Sequence, residues 1–186
     1  MKIKYIALTL AAILSFGTFA VGCSSSENSE QQILDSREVD FSEIGLKYTT
    51  PESWQEYTKK NNIYPFTYTE DFTIENIRYN YITPTDWKTI SNAKDGFVID
   101  DYLYPICEIV VVQTENASKL KTSGLYTTFS SRELIKENNG VSYYLFSDYV
   151  GSVRKMSDED VEIYDNICSV IDELAQSVNV TDFDVD

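Results

Sequence analysis

Three cysteines, 30 acidic side chains and no histidine set the chemistry open to this chain of 186 residues. Histidine is the commonest neutral-pH base and the commonest transition-metal ligand, so its absence excludes Ser-His-Asp and Cys-His nucleophilic sets. A zinc site would have to draw on carboxylates and distant thiols. The seven glycines form neither GxGxxG nor GxxxxGK[ST], so the sequence offers no phosphate-cradling loop. Carboxylate and thiol chemistry remain. Glu70-Asp71 and Asp100-Asp101 are adjacent acids of the kind that hydrolyse sugars, but in so acidic a chain they read as solvated loops. Asp182, Asp184 and Asp186 alternate as oxygen ligands for a hard cation would, yet they lack a glycine turn and read as an acidic tail. The expectation is no catalytic residue, no metal ligand and no cofactor.

The thiol of Cys23 stands apart from the other two. Lys2 and Lys4 give a cationic start, Ile6 to Phe19 is apolar and uncharged, and Ala20-Val21-Gly22 leads into the cysteine. Charged start, apolar stretch and small-residue exit are the parts of a secretory leader. With its cysteine, the stretch resembles the lipobox of bacterial lipoproteins, although Ala20 stands where that family most often has Leu. The resemblance implies that residues 1–22 are removed and that Cys23 carries a diacylglyceryl group. Two acyl chains, at about 0.8 kcal/mol per buried CH₂, hold a protein stably where one holds it marginally. A retained membrane helix is the competing reading. The uncharged run from Tyr5 to Gly22 nears the roughly 20 residues a span needs, but Thr9, Ser15, Gly17 and Thr18 dilute it and no basic cluster follows. The expected location is the extracytoplasmic face of the cell membrane.

Such a location permits a disulfide between Cys107 and Cys168. Cys107 lies in the strand-like run Ile106 to Val112, and Cys168 on the apolar face of the last helix. Free cysteine is also among the most buried residue types, so a bonded pair and two buried thiols both stand.

Composition narrows the partners. A hydrophobic fraction of 42% with 13% aromatics supports a packed core rather than disorder. The net charge of −15 opposes nucleic acid and anionic headgroups, which both attract basic surfaces. The expected partners are therefore the lipid bilayer, through the acylated cysteine, and an unidentified envelope protein or ligand.

The elements that must position these residues follow from patterning. Residues 23–38 read as a polar, lipidated tether with a reach on the order of 20 Å. Residues 39–186 read as one domain. Ile44 to Pro51 reads as an extended run closed by a turn. Tyr64 to Phe72 alternates aromatic and polar residues, with Pro65 marking an edge strand. Ile74 to Ile82 puts Ile77, Tyr79 and Tyr81 on one face. Thr83-Pro84-Thr85-Asp86 starts a short helix. Phe97 to Tyr104 is ambiguous between strand and helix. Ile106 to Thr114 is the best strand and reads as central. Leu125 to Ser130 reads as a strand. Arg132–Glu137 and Val141–Tyr149 flank Asn139-Gly140, a type I′ hairpin signal. From Ser157 a long helix carries Tyr164, Ile167, Cys168, Ile171, Leu174, Ala175 and Val178 on one face. The 14 tyrosines read as half-buried strand residues, with a stacking groove as the alternative. The fold class is α+β: an antiparallel β-sheet with a long C-terminal helix packed on it.

Gly45-Leu46-Lys47-Tyr48-Thr49-Thr50-Pro51-Glu52-Ser53-Trp54 and Asn139-Gly140-Val141-Ser142-Tyr143-Tyr144 resemble the opening strand and later hairpin of PsbP/Mog1-like domains. The resemblance implies an antiparallel sheet flanked by helices. The chain departs from that pattern after Tyr149, where the family often has further strands. The functional expectation is a membrane-anchored, non-catalytic binding or interaction module. Its alternatives are a carboxylate- or Ser/Thr-dependent envelope hydrolase, which needs a pocket of acids with raised pKa values, and a small solute-receptor lipoprotein.

Overall fold

The computed structural model describes residues 37–92, 102–151 and 156–183. The expected leader, Cys23, all of the expected tether but residues 37 and 38, the pair Asp100-Asp101, and Asp184 and Asp186 lie outside the described residues, as does Phe97 to Asp101 of the ambiguous segment.

Five strands form the main sheet: β3 (Ile63–Tyr68), β4 (Glu75–Tyr81), β5 (Tyr104–Gln113), β6 (Phe129–Asn138) and β7 (Val141–Tyr149). Their order is β3-β4-β5-β7-β6, with every neighbouring pair antiparallel. β5 is the middle strand, buried from Tyr104 through Val112, because both sheet faces are covered there. Proline cannot donate to a ladder, and Pro65 accordingly sits on the edge strand β3. Asn139 and Gly140 take φ of 46° and 79°, the left-handed pair that a type I′ turn requires. The far edge, β6, carries Arg132, Glu133, Lys136 and Glu137 and a register shift between Leu134 and Lys136. Charge and irregularity of this kind discourage pairing with another chain.

A second sheet was not legible from patterning. It joins β1 (Glu38–Phe41), β2 (Leu46–Thr49) and β8 (Asn179–Val180) in the order β1-β2-β8. A 3₁₀ turn over Ser42–Ile44 ends at Gly45, whose φ is 64°. The Gly45 carbonyl accepts the Thr181 N–H at 2.8 Å, so β8 docks directly over this glycine.

Among the helices, α1 (Trp54–Lys59) and α3 (Leu125–Thr128) are short, and α2 (Pro84–Ser91) starts as expected. Thr83 Oγ1 accepts the Asp86 N–H at 3.0 Å, and proline occupies the first helical position. The strand expected over Leu125 to Ser130 begins only at Phe129. Its first part is the turn α3, because the Gly124 carbonyl gathers the N–H groups of Thr127 and Thr128 at 3.1 Å each. The terminal helix is two segments, α4 (Asp158–Cys168) and α5 (Ile171–Ser177), interrupted at Ser169 and Val170. Ser157 caps α4, accepting the Asp160 N–H at 3.1 Å. The apolar stripe survives the break: Tyr164, Ile167, Ile171, Leu174, Ala175 and Val178 are all buried.

These segments cover the inner sheet face, where Ile77, Tyr79, Tyr81, Cys107, Ile109 and Val111 meet Trp54 and the terminal helices. On the outer face a smaller cluster forms beneath α3 and the 3₁₀ run Thr114–Thr122, joining Val110, Val112, Tyr144 and Phe146 to Leu120, Leu125 and Phe129. The core tyrosines keep their hydroxyls bonded: Tyr48 to Tyr79 (2.8 Å), Tyr143 to the Ile44 carbonyl (2.8 Å) and Tyr164 to the Pro105 carbonyl (2.6 Å). A buried phenol without a partner would carry an unmet desolvation cost, so these bonds fix how the layers register. The result is an α+β fold: antiparallel sheet with helices, including the C-terminal pair, packed on it.

Candidate functional site

Side chains alternate between faces along a strand, so every second residue of β3, β4 and β5 points outward. Pairing aligns Phe66 with Arg78, Arg78 with Glu108, and Glu108 with Phe146 in one row across the sheet. Tyr68 and Asn76 form the adjoining pair. Glu108 is the one charged residue in β5, and its side chain is fully buried. A buried carboxylate requires compensation. Arg78 Nε donates to Glu108 Oε2, while Tyr68 Oη and Asn76 Nδ2 donate to Oε1 at 2.6 Å and 2.9 Å. Arg78 Nη2 also donates to the Tyr68 hydroxyl at 2.9 Å.

The guanidinium lies over two rings, 5.8 Å from the Phe66 centroid and 5.4 Å from that of Tyr68. Such stacking adds cation–π attraction to the ion pair. The Arg78 side chain keeps 23% of its surface exposed, so the cluster reaches solvent through a planar cation framed by half-buried aromatics. Asn76 Oδ1 is buried and has no hydrogen-bond partner. Glu70 approaches from the loop after β3. Burial raises its pKa first and the negative charge of Glu108 second, with Arg78 opposing. Burial and the Glu108 charge likewise hold the Tyr68 phenol protonated. This arrangement stacks and hydrogen-bonds.

Of the acidic candidates among the described residues, Glu70 is the one that feels the charges of Glu108 and Arg78, and of the tyrosines read as a stacking groove Tyr68 lies in the cluster. Asp182 is placed elsewhere, accepting from Asn138 Nδ2 at 2.8 Å. Cys107 and Cys168 are both free thiols, the first buried on β5 and the second half-buried at the end of α4. Sequence reasoning missed Asn76, Arg78 and Glu108. The usable signal was a single acid inside a nearly continuous apolar strand, which a fold tolerates only with a partner.

No protein-family model matches this chain. No curated protein and no solved structure matches it either. Among the described residues, no group of three or more Cys, Asp or Glu side chains is placed to hold a metal ion, and no helix is long and apolar enough to cross a membrane.

Proposed function

We propose that this chain is a lipid-anchored, extracytoplasmic binding module of the cell envelope, held to the bilayer through Cys23 and engaging an envelope protein or ligand through its folded body without catalysing a reaction. The observation that carries the reading is the sequence order at the start of the chain: Lys2 and Lys4, the apolar run Ile6 to Phe19, then Ala20-Val21-Gly22-Cys23. The similarity to PsbP/Mog1-like domains is part of the same proposal, and the antiparallel sheet flanked by helices is compatible with it. Contact with a ligand is assigned to the outer face of β3 and β4, where Phe66, Tyr68 and Arg78 supply rings and a guanidinium for stacking.

The test is fractionation with labelled palmitate. Wild type is expected in the membrane fraction with label, and Cys23→Ala in neither state. A wild-type chain that takes up no label while Cys23→Ala still sediments with membranes overturns the reading. One observation favours the hydrolase alternative: burial, and after it the charge of Glu108, raise the pKa of Glu70. Arg78 neutralises Glu108, which makes that pair a poor acid–base couple. Turnover of a cell-wall glycan that is abolished in Glu70→Gln would reverse the ranking.

A further inference from the structure

Three contacts converge on the two remaining thiols. α4 lies against β5, with the Tyr164 hydroxyl on the Pro105 carbonyl at 2.6 Å. Cys168 follows Tyr164 by one helical turn, a rise of about 6 Å. Cys107 follows Pro105 by two strand residues, an advance of about 6.6 Å. Helix and strand thus step from one shared contact by similar amounts to a cysteine each. Trp54 closes the arrangement from the side. Its Nε1 donates to the carbonyl of Ile167, the neighbour of Cys168, at 3.0 Å. Its ring stands 5.2 Å from that of Tyr79, the cross-strand partner of Cys107. Cys107 belongs to the inner apolar cluster, and Cys168, partly buried, packs against that same cluster. After burial, the charge of Cys168 is the next largest influence raising the pKa of Cys107.

We propose that Cys107 and Cys168 are a redox pair whose disulfide staples α4 to the central strand β5, the dithiol of this structure being its reduced form. The break at Ser169 and Val170 comes directly after Cys168 and lets the last turn of α4 adjust without carrying α5 with it. The oxidant is a disulfide, either a small molecule or a thiol oxidoreductase. The Cys168 thiolate attacks it, forms a mixed disulfide and releases one thiol. The Cys107 thiolate then attacks the Cys168 sulfur, forms the internal bond and releases the second thiol. Each protein thiol loses a proton, and the two electrons reside on the reduced donor. Burial pushes the Cys168 thiol up to about 11 and Cys107 well above its ordinary value, so the folded dithiol exchanges slowly. The bond therefore forms as the chain folds or when the end of α4 opens.

The inference rests on the extracytoplasmic reading for its oxidant, and its test separates the two. The full chain, extracted from membranes in detergent, is unfolded, reduced and refolded in oxidised glutathione, then mapped by mass spectrometry. The expected product has Cys107 and Cys168 peptides joined and two hydrogens lighter, with Tm raised over the reduced protein. That rise is expected to vanish in Cys168→Ser, made at the less buried of the two positions. Two alkylatable thiols after refolding, or only a glutathione adduct on Cys168, overturns the pair. Alkylation trapping in intact cells is the second arm. A joined pair in cells supports both readings. Free thiols in cells beside ready joining in the tube overturn the extracytoplasmic placement and leave the pair standing.

Discussion

Arg78 and Glu108 show how one residue's neighbourhood governs a large share of the fold's tolerance. Replacing Arg78 with Ala leaves a fully buried carboxylate with Tyr68 and Asn76 as its remaining donors among the described residues. The expected loss is about 3–5 kcal/mol in urea unfolding, the cost of breaking a buried pair from one side. Arg78→Ala with Glu108→Leu is expected to recover much of it, and a double variant no more stable than the single one would sink this account. Glu75, at the start of β4, gives a pH prediction. Burial pushes its carboxyl up to about 7, with Glu43 adding to the rise, against an ordinary value of 4.5. The folded state therefore binds more protons than the unfolded state between about 4.5 and about 7. Stability from this group is full below about 4.5 and falls as pH rises through about 7. Glu75→Gln removes that slope, so the Tm gap between variant and wild type is expected to widen across the window; a constant gap would contradict it. Neither effect was legible in the sequence, because what matters at Glu108 and Glu75 is the company brought by strand pairing.

At the scale of elements, patterning was informative where a segment met one strong local rule. The β6–β7 turn followed from Asn139-Gly140, the central place of β5 from its apolar run, the edge place of β3 from Pro65, and the starts of α2 and α4 from their caps. It failed where tertiary contacts decide. β1 and β8 are too short to show a period, and both exist because β2 offers edges to them. The break in the terminal helix leaves the apolar stripe intact, so periodicity could not reveal it. Gly45 is the sharpest test at this scale. Its φ is 64°, and an added Cβ would overlap the Thr181 carbonyl oxygen and stand 2.8 Å from Phe183 Cδ1. Gly45→Ala combines left-handed strain of about 1–2 kcal/mol with displacement of β8. The expected signature is faster amide exchange at Thr181, beyond any global loss of stability. Unchanged protection there would mean that β8 does not depend on this glycine.

For the whole molecule, two sheet layers and the terminal helices enclose one main core, with a satellite cluster under the 3₁₀ run and α3. The acidic composition gives this body a field that repels anionic lipid, which leaves attachment to the acylated thiol in the proposed arrangement. Fold class was readable from the mixture of alternating strands and a long amphipathic stripe, whereas the cluster of Phe66, Tyr68, Arg78 and Glu108 arises only once β3, β4 and β5 are side by side. The small sheet has one more consequence. β1 and β8 flank the same strand, and their registers place Glu38 opposite Thr49 and Val180 opposite Leu46. These points lie about 10 Å apart across the sheet and about 10 Å apart along it. A short Gly/Ser bridge can therefore splice Thr181 back to Arg37, and the backbone can be reopened at Asn139-Gly140, where a side chain on Gly140 would meet nothing within 4 Å. Threading order is thus separable from architecture, and a circularly permuted chain could present its new ends at the hairpin tip.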